Sequence, residues 1–194
     1  MRNLLLLLAL SLTSLTIGCE AEEDKPPVVE YVKLNVEAPG EGEGGAVVMT
    51  TAMCTSDSDT GFFQGDFTGE DGSMLTVKIK GFTTNEAIYT CSQASDNTEG
   101  EVGNKFDSCS VALVIADPET SVNSYAMHRS SAEVKGFTYG GTCTVTTTYS
   151  EPTLTADVNC TGLVQTDLQG SARNPIDGSV TADITSGSTF SCDL

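Results

Sequence analysis

Thr142-Cys143-Thr144-Val145-Thr146-Thr147-Thr148-Tyr149-Ser150-Glu151-Pro152-Thr153-Leu154-Thr155-Ala156-Asp157-Val158-Asn159-Cys160 reads as two strands and the turn between them. Closing Tyr149 on Leu154 through the four-residue loop Ser150-Glu151-Pro152-Thr153 sets Thr147 opposite Ala156, Val145 opposite Val158 and Cys143 opposite Cys160. The other face receives Thr148 with Thr155, Thr146 with Asp157 and Thr144 with Asn159. Every pair on the first face is apolar or small, and every pair on the second is polar. A slip of one residue would destroy that separation, so the register is specified. Pro152 argues against a two-residue primed turn, which needs positive φ. The expected element is an antiparallel hairpin with one buried face and one wet face.

The same period of two runs along much of the chain on either side of this hairpin. Strands are expected at 31–36, 46–53, 61–68, 74–81, 87–92, 110–116, 132–138, 178–185 and 188–192. Leu75, Val77 and Ile79 alternate with Thr76, Lys78 and Lys80, the half-buried signature. Ser110 to Ala116 has no polar face and reads as a central strand covered on both sides. Tyr125 to Ser131 reads as a short helical turn or a loop, and Gly162 to Pro175 as a long connection. Roughly ten short strands with turn signals between them argue for an all-β fold. An antiparallel β-sandwich stapled by disulfides is expected, with a closed β-barrel as the alternative.

The chain opens Met1-Arg2-Asn3 and continues as an apolar run from Leu4 to Leu12, too short to span a bilayer, which needs about 20 residues. It then reads Leu15-Thr16-Ile17-Gly18-Cys19, which resembles the bacterial lipobox. The resemblance implies that Cys19 takes a diacylglyceryl group through its sulfur, that the leader is cut before it, and that the new amino terminus is acylated. A cysteine suits this chemistry because a thiolate is the nucleophile, and Gly18 leaves room for the peptidase. The resemblance divides the chain into a signal peptide at 1–18, a lipidated acidic and proline-stiffened tether at 19–29, and one all-β domain at 30–194. It also implies a bacterial cell envelope location, the outer membrane being favoured over the inner. The chain as a whole is similar to the cysteine-containing envelope lipoproteins of Gram-negative bacteria.

An exported chain meets an oxidising compartment, and beyond Cys19 the cysteines number six: Cys54, Cys91, Cys109, Cys143, Cys160 and Cys192. Three disulfides follow. A Cys91–Cys109 bond would close the polar segment 93–108 and stabilise by about 3 kcal/mol in the chain-entropy model. Cys143 and Cys160 could bond directly across their hairpin, or each could bond to Cys54 or Cys192. No cysteine pair has the close spacing that grips zinc, and there is one histidine.

The formal net charge of −18 repels phosphate backbones and anionic headgroups, which rules out nucleic acid as a partner and leaves the covalent lipid as the membrane attachment. Asp57-Ser58-Asp59-Thr60-Gly61 opens like a calcium loop, but its glycine comes one place early and Thr68 stands where a bidentate Glu is needed. A weak calcium site would have to gather Asp57, Asp59, Asp66, Glu70 and Asp71. No other cofactor is expected. His128 would have to serve any Ser-His-Asp chemistry, yet no nucleophile elbow surrounds it. A chain without tryptophan and with few aromatics makes a poor carbohydrate cleft. The expected function is therefore non-enzymatic: a lipid-anchored structural or interaction module with an envelope protein partner. A lipocalin-like carrier of a small apolar ligand is the alternative, and a hydrolase the second.

Overall fold

A computed structural model describes residues 29–38, 44–91, 106, 108–117, 121–126, 141–166 and 181–194. Among them are twelve strands and no helix. They are β1 Val32–Glu37, β2 Gly45–Met49, β3 Thr51–Asp57, β4 Phe62–Thr68, β5 Met74–Lys80, β6 Ala87–Cys91, β7 Cys109–Asp117, β8 Ser121–Ala126, β9 Thr142–Ser150, β10 Thr153–Thr166, β11 Thr181–Ile184 and β12 Thr189–Asp193. The fold is all-β, as expected.

All twelve strands belong to one antiparallel sheet, and β10 organises it. Thr153 to Asp157 lies between β9 and β12, while Val164 to Thr166 pairs with β8. From β10 the path runs one way through β8, β7, β5 and β4 to β3, and the other way through β12 to β1 and β11. β2 pairs with β1, and β6 with β9. The sheet folds over on itself, sandwich-like. Phe190 of β12 meets Phe63 and Phe67 of β4, with ring centroids 6.1 and 5.1 Å apart. Thr50 carries the chain between the two ends of the path: Tyr31 N donates to the Met49 carbonyl at 2.9 Å and Thr50 N to the Thr68 carbonyl at 3.1 Å.

The core between the folded halves is built of buried side chains. Phe63, Phe67, Leu75, Val77, Ile79, Leu113, Tyr125, Val145 and Leu154 have no exposed surface. Gly65 is a packing device: a Cβ there would lie 2.8 Å from the Phe67 ring and 3.1 Å from the Phe63 ring. Its bare backbone lets both aromatic neighbours lie flat in the core.

The hairpin register is the expected one over its whole length, from Leu154 opposite Tyr149 to Cys160 opposite Cys143. The turn is tighter than expected. Ser150 pairs with Thr153, and only Glu151 and Pro152, joined by a cis peptide bond, make the reversal. The three disulfides are Cys143–Cys160 within this hairpin, Cys91–Cys109 from β6 to β7, and Cys54–Cys192 from β3 to β12. The direct hairpin bond thus prevails over cross-links to Cys54 or Cys192. The last two bridges fasten parts of the sheet that no ladder joins.

Three expectations are corrected. The single strand at 46–53 is two strands, β2 and β3, because Thr50 switches partners. Tyr125 and Ala126 end strand β8 rather than start a helical turn, because β7 and β10 flank them with complete ladders. Gly162 does not begin a connection. It is the irregular residue where the β10–β11 register shifts, with φ of 70°, and the strand runs on to Thr166. β7 lies between β5 and β8 with Val111, Leu113 and Ile115 in the core, and Val114 on its other face is buried too. The strand expected at 132–138 lies outside the described residues.

Candidate functional site: a polar trough on the outer face

Two outer faces of the described sheet carry rows of polar side chains, and they are built differently. On the β4–β5 face the polar groups satisfy one another. Asp66 accepts from Gln64 Nε2 at 2.6 Å and from Thr76 Oγ1 at 2.8 Å. On the face formed by β1, β12, β10 and β9, Thr153 Oγ1 donates to Asp193 Oδ1 at 2.8 Å at one end, while most side chains further along have no such partner among the described residues.

That second face holds a half-open trough of about 500 Å³. One row of residues crosses it with unbroken register: Ile88 on β6, Thr146 on β9, Asp157 on β10, Thr189 on β12, Lys33 on β1 and Val48 on β2. The next row is Thr148, Thr155 and Ser191, ending at Tyr31. Period-two alternation produces this face, since Thr147, Ala156, Val158 and Phe190 are the buried counterparts of the outward threonines and Asp157. Because the side chains of Ala156 and Phe190 are buried, their backbone is what meets the trough.

Thr155 Oγ1 donates to the Thr148 carbonyl at 3.2 Å. The side chains of Tyr31, Lys33, Thr146, Thr148, Asp157, Thr189 and Ser191 make no hydrogen bond or ion pair within the described residues. Lys33 and Asp157 sit two strands apart with Thr189 between them, about 10 Å between backbones by strand spacing, and form no ion pair. The trough therefore offers donors and acceptors to the outside and spends almost none on itself.

The carboxylates considered for calcium do not converge. Asp57 serves the β3–β4 turn: its Oδ1 accepts from the backbone N–H of Asp59 at 2.9 Å and of Thr60 at 3.3 Å, and its Oδ2 from the Thr60 hydroxyl at 2.8 Å. The Thr60 hydroxyl first, then these two backbone donors, hold the Asp57 carboxyl below its ordinary value. Asp71 serves the β4–β5 turn at the other end of β4, accepting from Ser73 N at 2.8 Å and Ser73 Oγ at 2.9 Å. Seven residues of β4 separate the two turns, about 20 Å. Among the described residues no three His, Cys, Asp or Glu side chains gather in a way that could hold a metal ion.

Cys19 and His128 lie outside the described residues. The six remaining cysteines all form disulfides. Sequence reasoning identified the hairpin half of the trough as a polar face but missed its extent, since β1 and β12 come from opposite ends of the chain. In the comparisons with known proteins, no family model, no curated protein and no solved structure matches this chain.

Proposed function

We propose that this protein is a lipid-anchored module of the bacterial cell envelope that works by binding rather than by catalysis. The observation that carries the reading is the contrast between an interior where large aromatic side chains are buried and an outer trough whose polar side chains mostly bond nothing else among the described residues. Phe63, Phe67, Phe190 and Tyr125 occupy the space between the folded halves, where a carrier of apolar ligands would keep its cavity. The trough, by contrast, presents hydroxyls, one ammonium (Lys33) and two carboxylates (Glu30 and Asp157) on a sheet braced by three disulfides. Rigid, preorganised polar groups are what recognition requires.

Anchoring rests on the Leu15-to-Cys19 sequence and on the acidic, proline-containing segment after it, whose extended form would span about 3 Å per residue. Two or more acyl chains give stable attachment where one does not. The test is Cys19→Ser in an expressing bacterium fed a labelled fatty acid. The wild type should take up label, and the variant should accumulate as unlabelled, uncleaved precursor. A variant released as soluble mature protein of normal size would overturn the anchoring. An apolar small molecule extracted stoichiometrically from the native protein would overturn the binding reading in favour of a carrier.

A further inference from the structure

We propose that the trough across β1, β12, β10 and β9 binds a glycan, a chain of uncharged, polyhydroxylated sugar rings lying along the threonine rows. The inference deepens the binding reading above by naming the ligand class. It does not depend on the lipid anchor.

The size fits first. About 500 Å³ lies within the range of sites that hold small ligands, roughly 300–1,000 Å³. The chemistry is more selective. Thr146, Thr148, Thr155, Thr189 and Ser191 line the trough with hydroxyls, each a donor and an acceptor at once. A sugar hydroxyl has the same double capacity, so the two arrays complement each other whichever way each proton points. Threonine is β-branched and restricted at χ1, and strands hold successive residues of a row about 4.8 Å apart, so much of the ordering cost is met before a ligand arrives. The expectation of a poor carbohydrate cleft rests on the scarcity of aromatics. Here Tyr31, half-buried at one end, is the one accessible ring in the lining against which the apolar face of a sugar can pack, so the hydroxyl rows carry most of the contact.

Other ligand classes fit worse. An apolar ligand would strip water from these groups and leave them unpaired, at a cost of about 1–3 kcal/mol for each one buried. A polyanion would meet Lys33 as the one cation in the trough, against Asp157 and Glu30, on a chain of net charge −18. A second copy of the chain would bring the same negative charge to the same face. An uncharged polyhydroxylated chain meets none of these penalties.

The test uses the full chain purified in a detergent without a sugar headgroup, titrated with a soluble chitin-type tetrasaccharide and, separately, a starch-type tetrasaccharide. Amide NMR spectra should show saturable shifts confined to residues around Tyr31–Lys33, Thr146–Thr148, Thr155–Asp157 and Thr189–Ser191. Thr146→Val and Thr189→Val keep the side-chain shape and remove the hydroxyl, so each should weaken binding about three- to tenfold with little change in thermal midpoint. No saturable shift with either sugar, shifts elsewhere on the surface, or wild-type affinity in both valine variants would overturn the proposal. Sugar binding by a Cys19→Ser protein that is nonetheless secreted normally would sink the anchor and leave the trough standing. A lipidated protein that binds neither sugar would do the reverse.

Discussion

Cys54–Cys192 should be the bridge on which this fold depends most. It joins β3 to β12, strands that share no ladder, across 138 residues of sequence. In the chain-entropy model that separation stabilises by about 5 kcal/mol, against about 3 kcal/mol each for Cys91–Cys109 and Cys143–Cys160, which span 18 and 17 residues. The other two bridges shorten the effective loop only slightly, and the dependence on length is logarithmic, so the ranking survives. The native state gives the same order: the hairpin would keep its nine paired positions without its bridge, whereas β3 would keep only its ladder to β4. Three double-alanine variants of the full chain, unfolded in urea under non-reducing conditions, measure this. The protein has no tryptophan, so far-ultraviolet circular dichroism is the probe. Cys54→Ala with Cys192→Ala should lose about 5 kcal/mol, or roughly 10–20 °C in thermal midpoint for a chain of this size. If that variant loses no more than Cys143→Ala with Cys160→Ala, the assignment of the long bridge as the principal fastener is refuted.

Gly65→Val should destabilise by about 1–3 kcal/mol or more, because its side chain would overlap the fully buried rings of Phe63 and Phe67, and both rings already pack on Phe190; urea midpoints would show it. Phe190→Ala should cost about 3–5 kcal/mol by the same assay, since it removes the ring that joins β12 to β4. Asp57 has its carboxyl held below the ordinary 3.8 in the folded state, so its stabilising contribution is present above that value and disappears as pH falls through the lowered one. The stability gap between wild type and Asp57→Asn should therefore be visible near neutrality and close in strong acid; a gap independent of pH would contradict the turn assignment. Millimolar calcium should leave the thermal midpoint unchanged, because Asp57 and Asp71 serve opposite turns.

Much of the fold was legible because burial in an antiparallel sheet writes a period of two into the sequence. The 142–160 hairpin is the clearest case: its two faces differ at every position, so one register alone keeps apolar with apolar. β3 was not separable from β2, since its residues are exposed or half-buried and Met53 is 69 % exposed. An edge strand whose inward residues, Ala52 and Cys54, are only half-buried carries a weak alternation. Gly162 misled because a glycine in a strand can mark either an end or a bulge, and the choice depends on β11, about 20 residues further on. The trough was half visible as the polar side of the hairpin. The other half depends on β1 lying beside β12, a pairing between the two ends of the sheet-forming chain that no local pattern encodes.

Intact-mass spectrometry of native protein from bacterial membranes, before and after reduction and thiol alkylation, tests the central claim most directly. The account predicts a chain that begins at Cys19 and carries acyl chains, with no thiol alkylated before reduction and all six of Cys54, Cys91, Cys109, Cys143, Cys160 and Cys192 alkylated after it. A chain that retains residues 1–18 without lipid, or one whose six cysteines alkylate without reduction, would contradict it.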